Sequence, residues 1–251
     1  KTALISGSTK GIGLAAATLL AQEGARVILN GRTDEALKEA AAEVTRKAPN
    51  AKVDGFAGDL ATAAGCEGIA RRFPAVDILV NNVGIFERKL FDEITDNDWY
   101  RMFDVNVMSG VRLSRAYLPG MKQRNWGRVI FICSETAIQI PDNMIHYGMS
   151  KVAQLAISRG LAESCVGTNV TVNAILPGGF MTEPNQRAEV FGLAEIAERD
   201  LGPKGRDHVG VQLRPALVRL GHETAGKNRV DGDLVRGPVD GGGARELHQG
   251  P

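Results

Sequence analysis

The stretch that decides the fold is KTALISGSTKGIG at residues 1–13, an apolar run that ends in a glycine-rich turn. Helix-favouring alanine and leucine follow over residues 13–23, so the turn joins a predicted strand to a predicted helix. Glycines at such a point let the backbone approach a pyrophosphate, which the free N–H groups of the helix N-terminus attract. The spacing is G-x-x-x-G-x-G, and an ordinary strand-to-helix turn is the alternative; the position after the first strand favours a nucleotide site.

The alternation of strand and helix continues along the chain. Apolar, β-rich runs predict further strands at residues 26–30, 52–57, 76–81, 128–133 and 170–176. Helices are predicted after Thr33, from Thr95 through Leu113, and over residues 147–166, with the two threonines as N-caps. This pattern predicts an α/β fold, a single Rossmann-type doubly wound domain with a mainly parallel sheet, whose ligand binds at the carboxyl ends of the strands.

Composition restricts the classes of function. The chain of 251 residues fits one α/β domain, and 30 basic against 29 acidic residues argue against a nucleic-acid or membrane-surface partner. No apolar run approaches the length of a membrane span. Cys66, Cys133 and Cys165 are widely spaced, which favours buried free thiols over disulfides or a zinc site, and the histidines lack metal-ligand spacing. We therefore expect a cytoplasmic protein without a metal.

A second chemical signal is the pair Tyr147 and Lys151 at the start of a predicted helix. Residues four apart share one helical face, so the ammonium can lie near the phenol. A phenol with a pKa of about 10 is a poor base at neutral pH, and a nearby cation lowers that pKa. For the pair alone, the alternative is an ordinary i,i+4 pair on the helix surface. His146, the preceding residue, is expected to cap the helix or to line a substrate site.

Together these signals resemble the short-chain dehydrogenase/reductase superfamily over about residues 1–200, and chiefly its 3-oxoacyl-carrier-protein-reductase-like members. The matching motifs stand in the family's order and on the expected elements: Gly7–Gly13 as the cofactor turn, Asn81-Asn82-Val83-Gly84 with valine for the family's alanine, Asn106 in a helix, Ser134 after the fifth strand, Tyr147 with Lys151, and Pro177-Gly178 with Thr182 after the sixth strand.

The resemblance implies an oxidoreductase that transfers hydride between NADP(H) and a carbonyl or alcohol. Tyr147 would be the catalytic acid/base, and Ser134 would hydrogen-bond the substrate oxygen and stabilise its developing charge. Lys151 would hold the nicotinamide ribose and lower the pKa of Tyr147, while Asn106 would anchor a water that joins Lys151 to solvent. Standing alone, Ser134 could be a strand-end cap and Asn106 a polar residue inside a helix.

The resemblance also implies a cofactor site at the carboxyl ends of the strands. Thr182 would hold the carboxamide and Asp59 would meet the adenine, although Asp59 could instead be an N-cap of the next helix. The implied cofactor-binding residues are Gly7, Ser8, Lys10, Gly11, Ile12, Gly13, Arg32, Asp59, Leu60, Asn82, Gly84, Tyr147, Lys151, Pro177, Gly178 and Thr182.

The residues after the second strand favour NADP(H) over NAD(H). NAD enzymes of this fold carry an acidic residue there, whereas this chain reads Asn30-Gly31-Arg32 and has no acid until Asp34. Arg32 can pair with a 2′-phosphate, and Lys10 in the glycine turn adds a second cation. The alternative is that both are solvated surface charges.

The substrate is left open between a ketone and a 3-oxoacyl thioester, because substrate choice depends on the segment after Thr182. The alternative function is a nucleotide-binding or sensor member of the fold without turnover, and the complete set of Asn106, Ser134, Tyr147 and Lys151 argues against it. Apolar residues on several faces of the helices at 99–121 and 147–166, with the resemblance, predict a homo-oligomer, either dimer or tetramer.

The chain departs from the family from about residue 200. We therefore assign residues 1–200 to the catalytic domain and residues 201–251 to an atypical C-terminal segment. That segment contains no Ile, Phe, Tyr, Trp, Met or Cys, a composition that suits poor packing better than a core strand.

Overall fold

The strands form one six-stranded sheet in the computed structural model, which describes residues 1–178. The order β3-β2-β1-β4-β5-β6 is that of the Rossmann fold, and every neighbouring pair is parallel. The predicted fold class is therefore confirmed for this part of the chain. The strands are β1 (Thr2–Ile5), β2 (Arg26–Gly31), β3 (Val53–Ala57), β4 (Ile78–Asn81), β5 (Gly127–Ile132) and β6 (Val170–Ile175).

Six α-helices connect these strands within residues 1–178. The helices α1, α2 and α6 begin and end within three residues of the predicted bounds, whereas the helix predicted from Thr95 through Leu113 continues to Gln123 at the end of α5. The N-caps are also as predicted: the Thr33 hydroxyl accepts from the Ala36 N–H, and Thr95 forms a capping box with Asp98. The helices are α1 (Gly11–Gln22), α2 (Asp34–Lys47), α3 (Ala63–Arg72), α4 (Asp96–Phe103), α5 (Ser109–Gln123) and α6 (Ile145–Glu163).

A π-helical turn at Asp104–Met108 joins α4 to α5. The apolar spacing after Thr95 predicts a single α-helix here, so the interruption corrects that prediction. A π-helical turn adds a residue to one turn of an otherwise continuous helix, and such turns are frequent at functional sites.

Both faces of the sheet are covered, because alternate residues of each strand point to opposite sides. Leu4, Leu79 and Phe131 belong to a core shared with α3 and α5. Ile5 and Val80, their neighbours along the strands, belong to the core shared with α1 and α2. Since both faces are packed, polar groups can gather only at the strand ends.

The sequence also makes predictions about the cysteines, about membrane-spanning helices and about the C-terminal segment. Cys66, Cys133 and Cys165 are buried and free, which confirms the prediction of buried thiols. No helix within residues 1–178 has the length and apolar character needed to cross a membrane. Thr182, the domain boundary at residue 200 and the segment 201–251 lie outside the described residues.

Candidate active site

The turn between β1 and α1 brings backbone atoms into close contact. Gly7 and Gly11 have φ values of +61° and +57°, in the left-handed region that favours glycine. A Cβ atom on Gly13 would lie 2.5 Å from the Gly7 carbonyl oxygen and 2.6 Å from Asn82 Nδ2. The first turn of α1 therefore packs directly on the end of β1, and a side chain at Gly13 would prevent this.

Two asparagine side chains hold the glycine turn. Asn82 Nδ2 donates to the carbonyl oxygens of Ser6 (3.0 Å) and Gly7 (2.9 Å). Asn30 Oδ1 accepts from the Gly7 N–H at 3.0 Å, while its Nδ2 donates to the carbonyl oxygens of Phe56 in β3 and Gly58 after it. Asn82 thus ties the turn to β4, and Asn30 ties it to β2 and β3. The sequence motifs do not identify Asn30, although a buried asparagine ending an apolar strand is a signal of such a role.

The N-terminus of α1 has no side-chain cap. Its N-cap is Lys10, whose side chain makes no capping hydrogen bond. The helices α2, α3 and α4 instead have threonine N-caps, namely Thr33, Thr62 and Thr95. Each threonine side chain accepts a hydrogen bond from a backbone N–H in the first turn. The first N–H groups of α1 therefore have no side-chain acceptor in this turn, and they lie where the glycines allow close approach. This arrangement fits the phosphates of a dinucleotide.

Three other predicted cofactor residues, Ser8, Ile12 and Leu60, have side chains that contact the protein interior. Ser8 is buried, donates to the Ile5 carbonyl oxygen and accepts from the Asn30 N–H. Leu60 lies in the core with 1% exposure, and Ile12 packs against the other core. Ser8 and Leu60, whose side chains are enclosed, could reach a ligand only through backbone atoms.

The charged residues predicted around the cofactor are exposed. Lys10, Arg32 and Asp59 all lie on the surface near the carboxyl ends of β1, β2 and β3. Asp59 Oδ1 accepts from the Ala61 N–H at 3.0 Å, and Thr62 caps α3. The alternative interpretation of Asp59 as the N-cap of α3 is therefore wrong.

Asn106 is fully buried in the π-helical turn. Its side-chain Oδ1 accepts from the Ile85 N–H at 2.7 Å, and its Nδ2 donates to the Ile85 carbonyl oxygen and to Ser150 Oγ, both at 2.9 Å. The Asn106 carbonyl oxygen accepts a hydrogen bond from Gln154 Nε2 at 2.6 Å. Asn106 therefore joins the segment after β4 to α6, and Gln154 is a residue of this site that the motifs do not identify.

Lys151 is 5% exposed and lies beneath the end of β5. Its Nζ donates to the Ile132 carbonyl oxygen (3.0 Å) and to Gln154 Oε1 (2.9 Å), which leaves one of its three N–H groups for another partner. Burial lowers the pKa of Lys151 to about 8, and the neighbouring Cys133 acts in the opposite direction. A Cβ atom on Gly84 would lie 3.6 Å from Lys151 Nζ, so the segment after β4 passes close to the ammonium.

Tyr147 lies one turn before Lys151, whose Nζ is 5.5 Å from the centre of the phenol ring. Burial raises the pKa of Tyr147, while the side chains of Ser134 and Thr136 lower it in part. The predicted net lowering of this pKa is therefore wrong for the described structure. Burial outweighs the favourable contacts, and the Lys151 ammonium donates hydrogen bonds to the Ile132 carbonyl oxygen and to Gln154.

Ser134 follows β5 and also caps the short 3₁₀ turn Glu135–Ala137, since its Oγ accepts from the Thr136 N–H at 3.2 Å. The capping role and a role beside Tyr147 are therefore compatible. The Pro177 carbonyl oxygen accepts from the Glu135 N–H at 2.9 Å, which places Pro177-Gly178 next to this turn.

His146 does not cap α6, because Met144 is the N-cap. Its ring is fully buried, 6.0 Å from the Trp99 ring, and its Nε2 lies 4.0 Å from a Glu87 carboxylate oxygen. Within residues 1–178, no group of three or more His, Cys, Asp and Glu side chains is arranged to hold a metal ion.

The geometry can be compared with known proteins. A family model described as short chain dehydrogenase matches residues 1–190. The chain belongs to the short-chain dehydrogenase/reductase family. It is 51% identical over 183 residues to an uncharacterized oxidoreductase of Bacillus subtilis (strain 168), YvaG, covering 73% of this chain and 69% of the relative.

Two further similarities are informative for the family's chemistry. The chain is 32% identical over 187 residues to the 3-oxoacyl-[acyl-carrier-protein] reductase FabG of Aquifex aeolicus, covering 73% of this chain and 75% of that protein. It matches the structure of L-sorbose reductase from Gluconobacter frateurii complexed with NADPH and L-sorbose, with a TM-score of 0.66 and 37% identity, covering 71% of this chain and 69% of that one. The short-chain dehydrogenase is thus an oxidoreductase of carbonyl and alcohol groups that uses a nicotinamide cofactor, and the FabG-like resemblance is confirmed.

Proposed function

We propose that this short-chain dehydrogenase uses NADP(H) to reduce a ketone or a 3-oxoacyl thioester to an alcohol, or runs the reverse reaction, with Tyr147 as the acid/base. The observation that carries the proposal is that Tyr147, Ser134 and Lys151 lie together at the carboxyl end of β5, while the glycine turn follows the carboxyl end of β1 in the same parallel sheet. The cofactor supplies the hydride when bound, while the protein supplies orientation and proton traffic.

The protonation state of Tyr147 at neutral pH suits the reduction. A phenol whose pKa lies above its ordinary value is protonated at neutral pH and is ready to donate to a carbonyl oxygen. Ser134, next to the phenol, donates a hydrogen bond to the same oxygen and stabilises the charge that develops there. Oxidation of the alcohol needs the phenolate and therefore gains rate as the pH rises.

Lys151 and the glycine turn hold the cofactor in this proposal. The third N–H group of Lys151 is available for ribose hydroxyls, and Gly84 leaves space beside the ammonium. The uncapped N-terminus of α1 receives the pyrophosphate.

The preference for NADP(H) rests on the surroundings of the end of β2. A Cβ atom on Gly31 would lie 2.4 Å from Thr9 Cγ2, so the end of β2 touches the glycine turn. Lys10 and Arg32 each follow one of these two residues and are exposed, so two cations stand at neighbouring strand ends. A 2′-phosphate fits this charge, and the matched L-sorbose reductase structure contains NADPH.

Apolar side chains near Tyr147 favour a substrate with apolar substituents. Phe86 meets the Tyr147 ring edge-on with 6.3 Å between ring centres and is 72% exposed. Ile138 and Ile140 are also exposed, and Ile140 lies against the backbone of Gly148 in the first turn of α6. An acyl chain or an alkyl ketone can cover such groups, whereas a polyol cannot do so favourably.

Two further features of the proposal concern the setting of the enzyme. Buried, free Cys66, Cys133 and Cys165 fit the reducing cytoplasm. The family and the apolar helix faces fit a homo-oligomer.

A panel of ketones and a 3-oxoacyl thioester with NADPH, followed by loss of cofactor absorbance, tests the function. Tyr147→Phe keeps the ring and its packing but removes the proton donor. We expect turnover to fall by a factor of roughly a hundred to ten thousand, with NADPH affinity changed by less than about twofold. Turnover of Tyr147→Phe at the parental rate would contradict the mechanism. Cofactor binding without turnover of any carbonyl by the parent would instead support the sensor alternative.

The cofactor preference is tested with Arg32→Asp. This variant should lose NADPH affinity and raise the ratio of kcat/KM for NADH to that for NADPH by at least about tenfold, because it removes a phosphate partner and adds a ribose acceptor. Lys52→Asp is the control, since it makes the same charge change at an exposed residue at the amino end of β3, whereas Arg32 follows the carboxyl end of β2. A parent that prefers NADH would refute the assignment.

A further inference from the structure

Gln154 is a buried amide whose two polar atoms are both used in the active site. It lies three residues after Lys151 on α6 and is 1% exposed. Its Oε1 accepts from Lys151 Nζ at 2.9 Å, and its Nε2 donates to the Asn106 carbonyl oxygen at 2.6 Å. A single side chain therefore connects the π-helical turn with the ammonium.

The partners determine the orientation of this amide. The Lys151 ammonium can only donate and the Asn106 carbonyl oxygen can only accept, so Oε1 must face Lys151 and Nε2 must face Asn106. Glutamate at this position would place an acceptor against the carbonyl oxygen, and an apolar residue would leave both partners unpaired. The amide of Gln154 satisfies both groups.

We propose that Gln154 is a positioning residue, whose amide joins Asn106 to Lys151 directly in the place that the family resemblance assigns to a water. This inference rests on the proposed roles of Tyr147 and Lys151. Gln154 fixes the ammonium at the end of β5 and leaves its third N–H group for the cofactor side. An amide N–H does not readily release its proton, so Gln154 holds Lys151 in position and does not pass protons along this path.

The exclusion of water strengthens the hydrogen bond between Lys151 and Gln154. Asn106, Lys151 and Gln154 are each at most 5% exposed, and hydrogen bonds to an ammonium are strong where water is excluded. Within residues 1–178, the titratable groups facing Lys151 are Cys133 after β5 and Tyr147 on α6. The π-helical turn and the segment after β4 present the neutral groups of Asn106 and Gly84. The charge state of Lys151 therefore depends strongly on what Gln154 presents to it.

Two substitutions of Gln154 should change the titration of Lys151 in opposite directions. Gln154→Met keeps a similar volume but removes the acceptor, which lowers the pKa of Lys151 by about one unit because the charged form loses a hydrogen bond. Gln154→Glu keeps the shape and adds a buried negative charge, which raises that pKa by at least about one unit. A role limited to packing would not produce opposite shifts.

The measurement is an NMR titration of the ε-carbon of Lys151 in lysine-labelled full-length protein without cofactor, assigned with Lys151→Met. It does not depend on turnover, so it stays informative if the proposed reaction is wrong. In the kinetic arm, Gln154→Met should lower kcat at least about tenfold, with the KM of the carbonyl substrate changed by less than about twofold. Gln154→Glu, being nearly isosteric, keeps the titration informative if Gln154→Met does not fold.

Ser158→Ala is the matched control. Ser158 is buried on α6 one turn further on and donates only to the Leu155 carbonyl oxygen in the described structure. This variant should titrate and turn over like the parent. Parental titration of Lys151 in both Gln154 variants, or shifts in the same direction, would overturn the proposal.

Discussion

Lys151 is an ammonium group held almost entirely out of water, and this placement costs stability. Its pKa is lowered from 10.5 to about 8, mainly by burial. Between these two pH values the unfolded chain binds a proton that the folded chain does not, so the folded state gains stability as the pH rises. Below about pH 8 the folded protein carries the whole cost of the buried charge.

Lys151→Met should remove this pH dependence. From about pH 7 to about pH 10.5 the parent should gain about 3 kcal/mol in unfolding free energy relative to the variant, from 1.36 kcal/mol per unit of pKa. The unpaired Ile132 and Gln154 acceptors add a cost to the variant that does not vary with pH. Denaturant unfolding at both pH values measures the difference, and Lys38→Met on the exposed face of α2 is the control. A parent-to-variant difference that is constant with pH would refute the argument.

At the residue scale, the sequence predicts those site residues that belong to short motifs. Tyr147 and Lys151 are four apart on one helix, so their proximity follows from helical geometry alone. Gln154 and Asn106 are 48 residues apart, and their contact exists only because α6 packs on the π-helical turn. No local pattern distinguishes Gln154 from a polar residue at a helix surface.

At the scale of elements, the same contrast holds for the helices. Thr33 and Thr95 predict helix starts because an N-cap is a local interaction between a side chain and the next turn. The π-helical turn is not predictable in this way. The apolar spacing continues from α4 into α5 with a shift of one residue, which a period of 3.6 residues tolerates.

Helix α1 provides an element-scale prediction, because it begins inside the cofactor turn. Gly13→Ala would place a Cβ 2.5 Å from the Gly7 carbonyl oxygen, and because that oxygen belongs to the backbone, the turn must move. We expect a loss of stability of about 1–3 kcal/mol and a loss of NADPH affinity of at least about tenfold. Thermal unfolding and fluorescence titration with NADPH measure the two effects.

Gly160→Ala is the control for helix propensity. Gly160 lies inside α6, and apart from its chain neighbours and the nearby backbone of its own helix, a Cβ atom there would meet no heavy atom within 4 Å. The variant should gain up to about 1 kcal/mol and bind NADPH normally. Equal effects of the two substitutions would show that the close approach at Gly13 has no functional meaning.

At the scale of the whole molecule, the part of the chain described here has a sheet covered on both faces, and its outer helices meet solvent. A shallow, mostly apolar groove runs between α5 and α6 on one side. Its lining residues are Val111, Ser114, Arg115, Leu118, Pro119, Lys122, Ile157 and Leu161. An apolar surface of this kind on long helices is typical of a contact between copies of one chain, which a two-fold axis makes self-complementary.

The groove predicts self-association that a charge at its wall should weaken. Val111 is partly exposed on α5, so Val111→Arg would place an unpaired charge against the partner's apolar surface without entering the core. We expect the parent to sediment as a dimer or tetramer at micromolar concentration, and Val111→Arg to raise the dissociation constant at least about tenfold, since burying an unpaired charge at an interface costs 1.4 kcal/mol or more. Val166→Arg is the control, because Val166 is 75% exposed beyond the end of α6 and does not line the groove. Since the two variants add the same charge at apolar residues, only a contact through the groove separates them. A monomeric parent, or equal sedimentation of both variants and the parent, would refute the assignment of this surface.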